Sequence, residues 1–170
     1  EGRLSNSTKN AYADLNGDGR KDLLVSPAEG TEVYLAWYDL PEDPRTRPWK
    51  KHIIEDDFTA NHQALAGDFD LDGDLDLYLM NNFVNDRLSA SYREKIVDGS
   101  AASNDDLYRN NGDGTFTNVT IESGIRFEGF GLGLAIGDVN KDGYPDIYVS
   151  NDYVSNDLLY INQGDGTFLN

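Results

Sequence analysis

The sequence predicts an all-β chain of about three repeated units, each folding into four short antiparallel strands. Three observations carry that expectation. A nine-residue acidic string occurs three times, a strand-like run follows every copy directly, and a second string recurs out of phase with the first. Repeats of this spacing decide the fold before any single residue does, because each unit must bury its apolar face against a neighbour.

The acidic strings are Asp14-Leu15-Asn16-Gly17-Asp18-Gly19-Arg20-Lys21-Asp22, Asp68-Phe69-Asp70-Leu71-Asp72-Gly73-Asp74-Leu75-Asp76 and Asp138-Val139-Asn140-Lys141-Asp142-Gly143-Tyr144-Pro145-Asp146. All fit D-x-[DN]-x-D-G-x-x-D, and residues 22–26, 76–80 and 146–150 then read as strands rich in Leu, Val, Ile and Tyr. Apolar or small segments at 62–67 and 131–137 precede the second and third strings. The other string spans Asn104 to Phe116 and again Asn156 to Phe168, two β-rich runs around Gly-Asp-Gly. Glycine supplies the positive φ of a tight turn, so each is a hairpin. In the first unit the hairpin has diverged: 31–38 and 49–54 flank a loop holding Pro41, Pro44 and Pro48. Proline is excluded from a sheet interior. Each unit therefore runs strand, acidic loop, strand, connection, strand, turn, strand.

The units are set at 10–56, 57–122 and 123–170, with 1–9 as an extension offering a strand to another subunit. The second unit carries a surface insertion at 83–103, where 85–97 is the one stretch expected to form a short helix. The last strand, near Thr167–Asn170, is short.

Composition narrows the function. Thirty-one acidic against fourteen basic residues give a formal charge of −17. Phosphate contacts need clustered Lys and Arg, so nucleic acid is excluded as a partner, and an anionic membrane surface is disfavoured. The longest nearly uncharged apolar stretch, 129–137, is too short to span a bilayer. No charged-then-apolar leader starts at Glu1, so any export signal is expected to have been removed or to lie outside this chain. The absence of cysteine removes disulfides, thiolate zinc sites and cysteine nucleophiles.

Three or four carboxylates within nine residues repel one another unless a cation sits among them. In a tightly turned loop the side chains at positions one, three and five converge. Glycine at six permits the reversal, seven offers its backbone carbonyl and nine closes the shell. Oxygen-only ligation with several carboxylates suits Ca²⁺ better than Mg²⁺, while Zn²⁺ would require the His or Cys that these loops lack. An EF-hand is excluded, because its bidentate Glu at position twelve is replaced by Val25, Leu79 and Val149 inside strands. The turns around Asp113 and Asp165 are read as hairpin turns rather than metal sites.

These loops, with Phe130-Gly131 leading the third unit, resemble the FG-GAP/VCBS repeats of integrin-α-type β-propellers, most closely those of large secreted bacterial VCBS proteins. The resemblance spans about Ala11 to Phe168. It implies four-stranded propeller blades with calcium between the first and second strands. Position by position, it implies the ligands Asp14, Asn16, Asp18 and Asp22; Asp68, Asp70, Asp72 and Asp76; and Asp138, Asn140, Asp142 and Asp146. The carbonyls of Arg20, Asp74 and Tyr144 complete the shells, for about three Ca²⁺ ions. Three blades do not close a ring comfortably, so an open arc or part of a larger propeller is expected.

The function expected from this is a calcium-stabilised extracellular or cell-surface module for adhesion or structure, binding other extracellular proteins or glycans. Self-assembly into a ring or filament would proceed by strand addition from about Arg3–Thr8. The alternative is a lectin-like fragment stacking sugars on Trp37, Tyr38, Trp49, Tyr78, Tyr148 or Tyr153. An enzyme is not expected: His52 and His62 have no visible partner in the sequence. Asn6 and Asn118 open N-glycan acceptor sequons.

Overall fold

The computed structural model of the protein describes residues 9–26, 34–43, 45, 48–56, 63–83, 93–153 and 155–170. Among them are twelve strands and no helix. The strands are β1 Lys9–Ala13, β2 Asp22–Ser26, β3 Leu35–Asp39, β4 Lys50–Glu55, β5 Gln63–Gly67 and β6 Asp76–Met80, then β7 Asp106–Asn110, β8 Phe116–Asn118, β9 Gly131–Gly137, β10 Asp146–Asn151, β11 Leu158–Asn162 and β12 Phe168–Leu169. Each consecutive four make one antiparallel sheet in sequence order. The architecture is three blades of a β-propeller-like fold.

One boundary and one element differ from expectation. β1 starts at Lys9, a residue assigned above to the extension, because the β1–β2 register runs on to pair Lys9 with Ser26. Residues 93–97, the described end of the expected helix, carry no regular structure. The rest of that helix, the Arg3–Thr8 strand, His62 and Asn6 lie outside the described residues.

The blades meet through side chains that alternate across the strands. One row crosses the first blade as Ala11, Leu24, Trp37 and His52, all in direct register. Ala11, Leu24 and Trp37 of this row pack with Leu35 against Ala64, Leu77, Leu79 and Tyr108 of the second blade. The opposite side of the second blade (Phe69, Tyr78, Met80, Leu107 and Val119) packs on Ile147, Val149, Leu158 and Tyr160 of the third. β6 is thus covered on both sides, which is why it reads as an unbroken buried run rather than an alternating one. Full burial of each such Leu, Ile or Val side chain contributes about 1.5–3 kcal/mol. A separate cluster of Leu23, Val25, Tyr34 and Ala36 sits on the far side of the first blade, closed by Tyr38, Leu40 and Trp49.

Asparagines tie each blade to the loop of the one before it. Asn110 Nδ2 donates to the Leu15 carbonyl at 3.1 Å, and Asn162 Nδ2 to the Phe69 carbonyl at 2.8 Å. Each amide also reaches a carbonyl of its own loop, Leu75 or Pro145, while its oxygen accepts from Gly112 N or Gly164 N. The first blade has Leu40 at this place in the register. Asn162→Leu is therefore expected to cost about 1–3 kcal/mol, because buried carbonyls lose their donor. Urea unfolding of the variant measures that loss.

The described part of the insertion is anchored too. Arg93 grips Glu128 through both guanidinium nitrogens at 2.8 and 2.6 Å, and Ile96 N donates to the same carboxylate. Such a planar two-point pair fixes orientation as well as charge.

Candidate metal centres

The three acidic loops join β1 to β2, β5 to β6 and β9 to β10, and they share one backbone path. Position six has φ of 84°, 97° and 94° at Gly19, Gly73 and Gly143. Position four is left-handed as well, at Gly17 (72°), Leu71 (61°) and Lys141 (65°). Leucine and lysine rarely adopt this region, and such residues persist where the surroundings hold them. Two left-handed residues fold the acidic side chains inward. The spacing had located position six and not position four.

The second loop gathers its acids most tightly. One carboxylate oxygen from each of Asp68, Asp70 and Asp72 lies within 4.8 Å of the other two. Asp68 Oδ1 is buried and has no hydrogen-bond partner. Burial, opposed by the Asp72 amide and reinforced by the charges of Asp72 and Asp68, holds the Asp70 carboxyl above its ordinary value. A buried unpartnered oxygen beside two further carboxylates fits a hard cation, the all-oxygen donor set that calcium takes.

In the first and third loops the leading aspartate turns to amides of its own loop. Asp14 accepts from Asp18 N and Gly19 N, and Asp138 from Lys141 N, Asp142 N and Gly143 N. Asn16 and Asn140 Oδ1 each accept from position five at 3.1 Å. Asn140 Nδ2 donates to Asp142, and the Arg20 guanidinium pairs with Asp18 in a contact that also places it 3.7 Å from Asp39. The position-seven amides of Arg20, Asp74 and Tyr144 donate to Asp18, Asp72 and Asp142, each at 2.9 Å.

Position nine has a second role that the spacing did not reveal. Asp22, Asp76 and Asp146 are buried, and their Oδ2 atoms accept the position-two amides of Leu15, Phe69 and Val139 at 3.0, 3.0 and 2.9 Å. Their other oxygens look towards the third strand: Asp76 and Asp146 Oδ1 accept from Asn110 N and Asn162 N at 2.9 Å. Asp22 Oδ1 has no such partner among the described residues. Burial pushes Asp76 up to about 6 and Asp22 above the ordinary value.

The Gly-Asp-Gly turns seat against these loops. A Cβ on Gly166, at φ 78°, would lie 3.2 Å from Asp70 Cβ of the preceding blade. Between that turn and the second loop is a cleft of about 250 Å³ lined by Phe69, Asp70, Asp76, Arg109, Glu122 and Asp165. Asp113 and Asp165 each cap their own turn, Oδ1 accepting from the amide and hydroxyl of Thr115 or Thr167.

The aromatic residues divide differently from the lectin-like alternative. Trp37 and Tyr78 are core residues; Trp37 stacks on His52 with ring centroids 3.9 Å apart. Tyr38 and Trp49 meet edge to face, leaving Tyr148 and Tyr153 as the exposed pair of the six. At the Asn118 sequon, Thr120 is buried and its hydroxyl accepts from Leu107 N.

Stacked four-stranded blades whose first hairpin is an aspartate-rich loop define a propeller-type repeat module. The family model described as FG-GAP-like repeat matches residues 14–79 and 96–149, more than half of the sequence. The chain belongs to that family. No curated protein matches it.

Proposed function

We propose that the protein is a calcium-stabilised, non-catalytic module that works outside the cell or on its surface in adhesion or structural assembly. The observation that carries this reading is the Asp68, Asp70, Asp72 cluster with its unpartnered buried oxygen. The ligands would be the twelve side chains at positions one, three, five and nine, with the carbonyls of Arg20, Asp74 and Tyr144 and about three ions. Calcium sites of extracellular modules work at about 10⁻⁴ to 10⁻³ M, the range found outside cells. FG-GAP repeats are widely used to bind other proteins, and the net charge of −17 steers such contacts towards basic or metal-bridged surfaces. Self-association by strand addition from the N-terminal segment belongs to the same reading. A non-catalytic role is supported at His52, which is half-buried and stacked on Trp37, and whose pKa is lowered by partial loss of water and by the Lys50 charge.

Calorimetric titration of the whole chain tests the metal. Calcium should bind endothermically or exothermically with saturable heat and magnesium much more weakly, and Asp70→Asn with Asp72→Asn should remove one ion. No saturable binding at about 10⁻² M calcium, well above the extracellular range, would overturn the reading.

A further inference from the structure

The three acidic loops share a backbone path but not a charge. The string 14–22 sets three aspartates against Arg20 and Lys21, a net −1, and 138–146 sets three against Lys141, a net −2. The string 68–76 carries five aspartates and no base, a net −5. Position seven, which is Arg20, Asp74 or Tyr144, accounts for two of the four charges that separate the first loop from the second.

The position-five carboxylate shows what each of those side chains does. Its Oδ1 accepts the position-seven amide in every loop, but its other oxygen meets a different group each time. In the first loop Asp18 Oδ2 is taken by the Arg20 guanidinium. In the third, Asp142 Oδ2 accepts the neutral amide of Asn140 at 2.7 Å. In the second, where position seven is another acid, Asp72 gathers with Asp68 and Asp70, one oxygen of each within 4.8 Å of the others. A fixed cation, a dipole and an anionic cluster thus stand at one place in the three loops. Arg20 also has a second acid within reach. Its side chain is 50% exposed, and its guanidinium lies 3.7 Å from Asp39 at the end of β3.

We propose that Arg20 is a tethered counter-ion that competes with calcium for Asp18, so that the loops fill in the order second, third, first. This rests on the calcium reading and adds an order to it. Ligand charge and site rigidity set the affinity of oxygen cages for calcium. A positive charge beside a ligand carboxylate opposes the arrival of another. The second loop fills without displacing a cation, the third by releasing a neutral amide, and the first only by breaking the Arg20–Asp18 pair. Asp39 then receives the freed guanidinium, so the arm moves between two acids and is never left without one. Arg20 has two opposed roles: its carbonyl completes the shell, while its side chain acts through Asp18 to weaken it. At calcium levels that saturate the second loop, the first blade still responds.

Position six gives each loop its own reporter. Gly19 N and Gly143 N donate to the position-one carboxylates at 2.8 and 3.0 Å, and Gly73 holds the same place in the second loop. Heteronuclear NMR of the ¹⁵N-labelled whole chain therefore follows the loops separately as calcium is added. The Gly73 amide should shift first and the Gly19 amide last, with midpoints about tenfold or more apart. Arg20→Gln should lower the Gly19 midpoint about tenfold and leave that of Gly73 in place. Asp74→Arg, which installs the same group at position seven of the second loop, should raise the Gly73 midpoint. Because Arg20 is half exposed, its effect should shrink in about 1 M salt, where the screening length falls to about 3 Å; a merely structural role would not respond in that way. A Gly19 amide that shifts with or ahead of Gly73, or an Arg20→Gln chain whose Gly19 midpoint is unchanged, overturns the proposal and leaves the calcium reading standing. No saturable shift at any of the three glycines overturns both.

Discussion

Chelating calcium should lower the melting temperature of the chain by about 20 °C. An ion that binds only the folded state stabilises it by about 2.7 kcal/mol at a hundredfold excess over its dissociation constant. Three independent sites then supply about 8 kcal/mol, against a usual domain total of about 5–15 kcal/mol. In a domain of this size each kcal/mol moves the transition by about 2–4 °C. The loops explain why the loss is structural rather than a mere emptying. The positions proposed as ligands bring ten carboxylates into three short turns of a chain with net charge −17. Scanning calorimetry in calcium and in chelator measures the difference, and equal transitions would defeat the calcium account. Asp70→Ala or Asp142→Ala should remove a share of the stabilisation. Asp165→Ala should remove little, since that carboxylate caps only its own exposed turn.

The repeat made most of the fold readable. Four-strand units followed from runs such as 76–80 placed directly after a loop, and the Gly-Asp-Gly strings marked the later hairpins. What stayed hidden was contact between units. Nothing about Asn110 or Asn162 in the linear string distinguishes a turn asparagine from one that reaches the carbonyl of a residue over ninety positions earlier. Trp37 and Tyr78 could be read either as core or as candidate sugar platforms, because alternation shows that a side chain faces out of its sheet, not whether another sheet covers it. Position nine showed a similar limit. Its spacing marked a ligand, while its burial and its grip on the position-two amide depend on the neighbouring strand. The acidic cluster was legible at Asp68, Asp70 and Asp72 because the residues are adjacent in the chain, so no long-range contact was needed to assemble them.

The same burial predicts how the metal-free chain responds to pH. Asp105 lies wholly inside the interface between the second and third blades, and loss of water pushes its carboxyl up to about 7, against hydrogen bonds from Asn81 N and Tyr78 that favour the charged form. Its unfolded value is 3.8, so the folded chain binds more protons between those values and stability falls as pH rises through that window. The gap corresponds to about 4 kcal/mol at most, fully present below pH 4 and gone above pH 7. Asp76, raised by burial to about 6, adds to the same slope. Calcium should oppose it, because an ion at the second loop favours the charged form of that loop's carboxylates. Urea unfolding from pH 4 to 8 in chelator should therefore show stability declining, and in saturating calcium a flatter or rising profile. Asp105→Asn should flatten the chelator profile. Asp157→Asn should leave its slope in place, since the Tyr148 hydroxyl holds that exposed twin below its ordinary value and it stays charged throughout. A chelator profile that rises with pH would show that Asp105 keeps its charge under the third blade, and the stated burial of that carboxylate would have to be revised.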